Sequence, residues 1–305
     1  MKVNSNVIGI DIGGTKIAAG LVTKQGKILR EFRLPTQLAE GWPGLRKQIV
    51  EICQSLKNKQ TKAIGIGSAG PLHAPSGKLL DPTNFGWKNA KAIHLTSDLK
   101  RILKLPIVLE NDAAATALAE RWKGGGGKDF LVLTLGTGLG MGVVCDGKLV
   151  RGGRELHPEG GHILLRSGDP TAPCGCGLYG CAEAFLAGKN FDQRAEKKLG
   201  ERLKGTEWAE RAARGDPAAK ALFAEYSSLL ADYLVNLVVL YYPKTVIFAG
   251  SFAAAHEQFL PAARVQLATL LRRRLLTAPL LPVLRVSKLG NRSPILGAAY
   301  LALDR

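Results

Sequence analysis

The chain has 305 residues, long enough for two domains that each bury a core. With 46% hydrophobic and 22% charged residues it is too apolar to be disordered. Its net charge of +17 is spread evenly, with 18 basic and 9 acidic residues in 1–122 and 24 and 16 in 123–305. That spread speaks against a nucleic-acid-binding arm and for a basic surface that attracts small anions.

The N-terminus enters an apolar strand pattern at once and lacks a signal peptide's apolar stretch and cleavage site, so a cytoplasmic location is expected. Residues 8–29 read as an apolar strand, a Gly/Thr turn, a second apolar strand and a short turn at Gln25-Gly26-Lys27 into a third. Pro43–Lys57 carries Leu45, Ile49, Ile52, Cys53 and Leu56 at helical spacing. A strand at Lys62–Gly67, a short helix at Asp98–Leu103, a strand at Pro106–Leu109 and an Ala-rich helix at Ala113–Trp122 follow.

Gly124–Gly127 is a natural boundary. Beyond it the opening pattern returns: residues 131–150 repeat strand, turn, strand and turn, with Asp11–Thr15 matching Thr134–Gly138 and Gly26 matching Gly147. Helices are predicted at Thr206–Arg214, Pro217–Tyr241, Glu257–Leu276 and Pro294–Leu303, and strands at Thr245–Ala249 and Leu284–Ser287. The longest apolar run, Leu229–Tyr242, is interrupted by Asp232 and Asn236 and falls short of the ~18 residues of a membrane span. The repeat predicts an α/β chain of two duplicated domains facing one another across a cleft. The expected domains are 1–122, with the closing helix of 293–305 packed on it, and 123–292.

Two familiar nucleotide motifs are present in letter only. Gly65-Ile66-Gly67-Ser68-Ala69-Gly70 is a literal GxGxxG, but Pro71, Pro75 and Gly77 forbid the helix that a dinucleotide site needs there. Gly9 to Lys16 resembles a P-loop, yet its order is Gly14-Thr15-Lys16 and a strand follows where a helix should open.

Three groups of residues carry candidate chemistry. Gly13, Gly14 and Thr15 let a phosphate approach backbone amides, with Thr15 and Lys16 as added donors. Asp11, at the end of the preceding strand, suits a magnesium-bound water. Gly136, Thr137 and Gly138 offer the same cradle from the second half; a plain hairpin turn is the competing reading of either. Glu110, Asn111 and Asp112 lie between an apolar strand and a helix, at the strand's carboxyl end, and Asn111 and Asp112 are the two with a candidate role. They are either helix caps or, in the functional reading, a base that accepts a hydroxyl proton (Asp112) and a residue that orients its substrate (Asn111). Cys174, Cys176 and Cys181, laced with glycines and joined by His162, match a closed tetrahedral zinc site; free thiols are the alternative. Such a site would pin a polar wall of Glu159, His162 and Glu183 suited to hydroxyl groups.

In combination these motifs resemble the ROK family of sugar kinases and sugar-responsive repressors, over essentially the whole chain. The carriers are DIGGTK at Asp11–Lys16, ENDAAATALAE at Glu110–Glu120, LGTGLGMG at Leu135–Gly142, Glu159-Gly160-Gly161-His162 and Cys174–Glu183. The resemblance implies the actin-like ATPase (ribonuclease H-like) fold and ATP-dependent phosphorylation of a hexose at its 6-hydroxyl, glucose first. Kinases of fructose, allose or N-acetylmannosamine, and a non-catalytic sugar sensor, are the alternatives. It implies Asp112 as base, Asn84, Asn111, Glu159, His162 and Glu183 on the other hydroxyls, and Gly250 and Ser251 on the adenosine. Mg2+ with ATP, a structural zinc at His162, Cys174, Cys176 and Cys181, and a dimer or tetramer complete what it implies; no membrane partner is expected, and the even spread of charge disfavours a nucleic-acid partner. The family's repressors carry an N-terminal DNA-reading module, and only six residues precede the first predicted strand here, which favours the enzyme.

Overall fold

A computed structural model describes residues 5–80, 85–87, 92–275 and 281–304. The chain opens with β1 (Asn6–Ile12), β2 (Lys16–Thr23) and β3 (Ile28–Pro35), then α1 (Gly41–Leu56), β4 (Thr61–Ser68) and a small hairpin of β5 (Leu72–His73) and β6 (Lys78–Leu79). Next come α2 (Leu95–Leu103), β7 (Ile107–Asn111) and α3 (Asp112–Ala119). The second half holds β8 (Phe130–Leu135), β9 (Leu139–Cys145), β10 (Lys148–Leu149), α4 (Ala182–Leu186), α5 (Gly188–Leu199), α6 (Gly205–Ala213) and α7 (Pro217–Tyr241). β11 (Thr245–Ala249), α8 (Leu260–Leu275), β12 (Val283–Val286) and α9 (Ser293–Leu303) close it.

The repeat seen in the sequence is a repeat of topology. One five-stranded sheet runs β3-β2-β1-β4-β7 and the other β10-β9-β8-β11-β12. In each, an antiparallel hairpin (β1 with β2, β8 with β9) is extended by two parallel strands, β4 and β7 in the first and β11 and β12 in the second. The central strands are apolar on both faces because both faces are covered: Ile8 and Ile10 on one face of β1 and Val7 on the other are buried, as are the alternating Leu131, Val132 and Leu133 of β8.

The chain divides into two compact units. The first comprises 1–125, 149–158 and 289–305, the second 126–148 and 159–288. Residues 149–158, assigned to the second domain on sequence, therefore belong to the first, and the boundaries fall at 125 and 288 rather than 122 and 292. A return excursion of ten residues carries no composition shift that would reveal it.

In the first unit α9 lies on β1, β4 and α3. Its approach is so close that a methyl group on Gly65 of β4 would collide with the carbonyl oxygen of Ala298. The first glycine of the GxGxxG stretch is thus a packing residue, with no helix opening after it.

In the second unit α7 begins where Asp216 accepts hydrogen bonds from the Ala218 and Ala219 N–H groups, with Pro217 in the first turn. Eighteen of its residues reach a mean hydropathy of 1.3, enough by length and composition to cross a membrane, where the sequence reading saw no such segment. Its buried side chains, among them Phe223, Tyr226, Leu230, Tyr233 and Leu234, form the core of the unit, and 61% of that window is buried.

Other departures from the predicted elements are local. The Ala-rich helix ends at Ala119 and loosens into a π-turn over Glu120–Gly124, closed by Gly125 at φ 71°. The segment 251–258 is 3-10 helix before α8 begins. Helices α4 and α5 were not foreseen, since α5 buries one large side chain, Phe191, beside Gly188 and Ala195 and shows no apolar stripe.

Candidate active site

In the first unit the sheet register sets the site. Asp11 of β1, Gly67 of β4 and Glu110 of β7 stand in one row, and Ile12, Ser68 and Asn111 in the next, at the carboxyl ends of three parallel strands. A Cβ on Gly67 would lie 3.7 Å from both Asp11 Oδ1 and Asp112 Cα, so the two acidic residues flank one glycine. Asp11 is half-buried, and its carboxyl is pushed up to about 8, first by burial and then by the charge of Asp112, with Arg33 opposing. A divalent cation beside these carboxylates would be favoured for the same reason that a second negative charge is not.

The turn from β1 to β2 holds Gly13, Gly14 and Thr15. Gly13 N–H donates to Lys16 O at 3.0 Å. Thr36 pins the turn from outside: its hydroxyl donates to Gly13 O at 2.7 Å and its N–H to Thr15 O at 3.1 Å. Sequence reasoning missed Thr36; the available signal was that β3 pairs with β2, which brings the residue after Pro35 to the turn. Thr15 and Lys16 are exposed.

At the start of α3 both readings of Asn111 and Asp112 have a structural basis. Asn111 Oδ1 accepts from the N–H groups of Ala113 (2.9 Å) and Ala114 (3.1 Å), so Asn111 is the cap; its amide NH2 is a separate donor. Asp112 Oδ1 accepts from Ala113 N–H at 2.8 Å, in the first turn of the helix where a negative charge is favoured. Beneath them Glu110, 1% exposed, accepts from Asn111 N–H at 2.8 Å and pairs with the Arg151 guanidinium. Arg151 was not foreseen, because it lies in the excursion of 149–158.

In the second unit Gly136, Thr137 and Gly138 turn from β8 to β9. Gly136 N–H donates to Gly138 O at 3.0 Å, and Gly136 O accepts from Lys189 N–H, which ties the start of α5 to the turn. Glu183 Oε2 accepts from Leu139 N–H at 2.9 Å, and a Cβ on Gly138 would collide with that oxygen. Glu183, a candidate for the hydroxyl-binding wall, thus also braces this turn. Gly250, at φ 90°, lies against the backbone of Leu135, so Gly250 and the exposed Ser251 stand beside this turn.

The same unit gathers His162, Cys174, Cys176 and Cys181, whose ligand atoms lie within 4.8 Å of one another. Cys174 Sγ is 3.5 Å from His162 Nδ1 and Cys176 Sγ 3.7 Å from Cys181 Sγ. Zinc bonds of about 2.3 Å to sulfur and 2.0–2.1 Å to nitrogen give tetrahedral edges of roughly 3.5–3.8 Å, which these two contacts match, and the Cys3His donor set suits that ion. Burial pushes the Cys174 and Cys181 thiols up, the opposite of what a bound cation would do. Cys174 Sγ also approaches Glu183 Oε1 at 3.6 Å, which links the cluster to the phosphate-type turn. Glu159 is exposed, and its carbonyl accepts from His162 N–H.

The structure thus gathers Asp11, Gly13–Lys16, Asn111 and Asp112 within the first unit. Gly136–Gly138, Glu159, His162, Glu183, Gly250, Ser251 and the three cysteines belong to the second. Asn84 lies outside the described residues.

The profile of the ROK family matches residues 7–305. A glucokinase of Streptomyces coelicolor is 32% identical, with 97% of each chain covered. An N-acetylmannosamine kinase of Salmonella newport is 32% identical over 97% of each. The crystal structure of a ROK family glucokinase from Streptomyces griseus, in complex with glucose and AMPPNP, superposes with a TM-score of 0.82 at 31% identity, covering 99% of this chain and 100% of the other.

Proposed function

The chain belongs to the ROK family, and from that premise we propose that it is an ATP-dependent sugar kinase that phosphorylates the 6-hydroxyl of a hexose, glucose first among them. The observation that carries the reading is the row of Asp11, Gly67 and Glu110 at the strand ends, which sets a phosphate-type turn and Asp112 at one edge of one sheet.

In this reading Asp112 accepts the proton as the 6-oxygen attacks the γ-phosphorus, the bond from that phosphorus to the β,γ-bridging oxygen breaks, and ADP leaves. Asn111 in the first unit, and Glu159, His162 and Glu183 in the second, are the candidates for other hydroxyls of the sugar. Within the first unit Gly13–Lys16 form a candidate phosphate turn, and within the second Gly136–Gly138 form another, with Gly250 and Ser251 beside it as candidates for the adenosine. Magnesium on the nucleotide would neutralise phosphate charge, with Asp11 the residue suited to its hydration shell. Zinc held by His162, Cys174, Cys176 and Cys181 would fill a closed structural site and leave no position for a reactant.

A second sugar has support of its own, since the N-acetylmannosamine kinase of Salmonella newport matches this chain at the same 32% identity as the Streptomyces coelicolor glucokinase. Release of ADP from ATP, measured across glucose, fructose, mannose, allose and N-acetylmannosamine, tests both. The expected result is the highest kcat/KM with glucose. Preference for N-acetylmannosamine would move the assignment within the family, and no release with any sugar would overturn the kinase reading.

A further inference from the structure

The second unit contains a cavity of about 320 Å³ between α5 and α7, reaching Thr171 in the loop that carries the cysteines. Phe185, Phe191, Leu222 and Leu229 make its floor, each less than a tenth exposed. Around that floor stand three cations of α5, Arg194, Lys197 and Lys198, and one carboxylate of α7, Glu225. Arg194 donates to Glu225 Oε1 at 2.6 Å and Lys198 to Oε2 at 3.0 Å, so both carboxylate oxygens are engaged; Asp169, which accepts from Thr171 at the rim, also lies within electrostatic reach of Arg194, and the cations still outnumber the carboxylates by one. The Arg194 guanidinium also lies 4.8 Å from the ring centroid of Phe185, over the apolar surface itself.

We propose that this cavity binds a small amphipathic anion, its aromatic or short aliphatic body on the floor and its phosphate or carboxylate head on Arg194, Lys197 and Lys198. The volume lies in the range of small-molecule sites, which are mostly apolar with a few convergent polar groups. Glu225 and Asp169 together leave one of the three cations unneutralised, and that excess sits where a ligand's body would be desolvated. A guanidinium beside the floor offers paired N–H donors to a planar or tetrahedral anion. Glu225 is then a resident competitor that an anionic head displaces in part.

This cavity is apart from the proposed nucleotide contacts, although α5 touches both. At 3.6 residues per turn Arg194 and Lys198 share one face, and Gly188 and Asp192 another about 120° round the axis. A Cβ at Gly188 would meet Gly136 O and Phe252, and Asp192 accepts from Gly205 N–H on α6. No step of phosphoryl transfer uses the Arg194 face, so this inference goes beyond the kinase reading and does not depend on it.

Calorimetric titration of the zinc-loaded, full-length protein with 1-naphthyl phosphate tests it, in the presence of saturating AMPPNP to keep the probe from the phosphate-type turns. The expected result is one site per chain. Arg194→Ala with Lys198→Ala should lower affinity at least about tenfold, as loss of charge-assisted contacts does. Glu225→Gln should raise affinity, a direction that a folding defect would not give. Leu222→Trp should abolish binding by filling the floor, and where it fails to fold the other two variants decide. Turnover without the probe should be unchanged in the charge variants. Absence of binding, or binding of equal strength in the Arg194/Lys198 double variant, would overturn the proposal.

Discussion

The Arg151 guanidinium is paired with the Glu110 carboxylate, directly beneath the two residues that cap and begin α3. Glu110 is buried and has two duties: it neutralises Arg151 and accepts from Asn111 N–H. Replacing Arg151 by Ala leaves a buried carboxylate without its charge partner, which costs about 3 kcal/mol or more. Arg151→Ala should therefore lower the melting temperature, and Arg151→Lys, which keeps the charge but loses the fork, should lower it less. A melting temperature unchanged in Arg151→Ala would remove the pair from the support of this site.

Asp112→Asn tests the base directly. The amide preserves size and can still accept from Ala113 N–H, so sugar binding should persist while turnover falls at least ~100-fold. Measured sugar affinity and kcat separate the two. Near-normal kcat would take Asp112 out of the chemistry.

The raised carboxyl of Asp11 gives a pH dependence with a definite sign. Its ordinary value is 3.8 and its folded value about 8, so between those limits the folded chain holds a proton that the unfolded chain has lost. Stability contributed by this group is full below about pH 4, falls as pH rises through the window, and levels off above pH 8. In magnesium-free buffer Asp11→Asn should flatten that slope and raise stability at pH 8 by on the order of 2 kcal/mol. Denaturant midpoints of both proteins at pH 5, 7 and 9 read the difference, and parallel slopes would refute it.

Much of this arrangement was legible in the chain. The two turns announce themselves because a strand that must let an anion near its end needs glycine there, and Gly13-Gly14 and Gly136 with Gly138 recur in matching surroundings. The cysteines declare a cluster because Gly175, Gly177 and Gly180 let three thiols turn on one centre. What stayed hidden depends on tertiary partners. Thr36 is pinned to the Gly13 turn by sheet pairing, Arg151 reaches Glu110 from a segment that returns to the first unit, and the hold of Glu183 on the Leu139 amide exists only because β9 lies beside it. Helix α5 hid for another reason: with Phe191 as its one large buried side chain, it shows no stripe.

The cysteine cluster predicts one zinc per chain by elemental analysis, lost in Cys176→Ser. Cys176 is exposed, so the substitution removes a ligand without opening a core cavity, and effects on the fold report the metal rather than packing. Because Glu183 touches both Cys174 and the amide after Gly138, disturbance should spread to that turn. Hexose affinity, which this reading ties to His162, should fall more than nucleotide affinity. Unchanged hexose affinity in zinc-free protein would count against a shaping role for the ion.

Gly65 separates two meanings of a glycine-rich stretch. Were Gly65–Gly70 a nucleotide loop, Gly65→Ala would weaken nucleotide binding and leave the fold intact. In this structure a methyl group there is driven against the Ala298 carbonyl of α9, backbone against strand, with no flexible side chain to yield. Overpacking of that kind costs about 1–3 kcal/mol, since α9 must lift from β1, β4 and α3 together. The expected outcome is a lower melting temperature with nucleotide affinity unchanged in the remaining folded protein. An intact melting temperature with lost nucleotide affinity would return the stretch to the role its letters suggest.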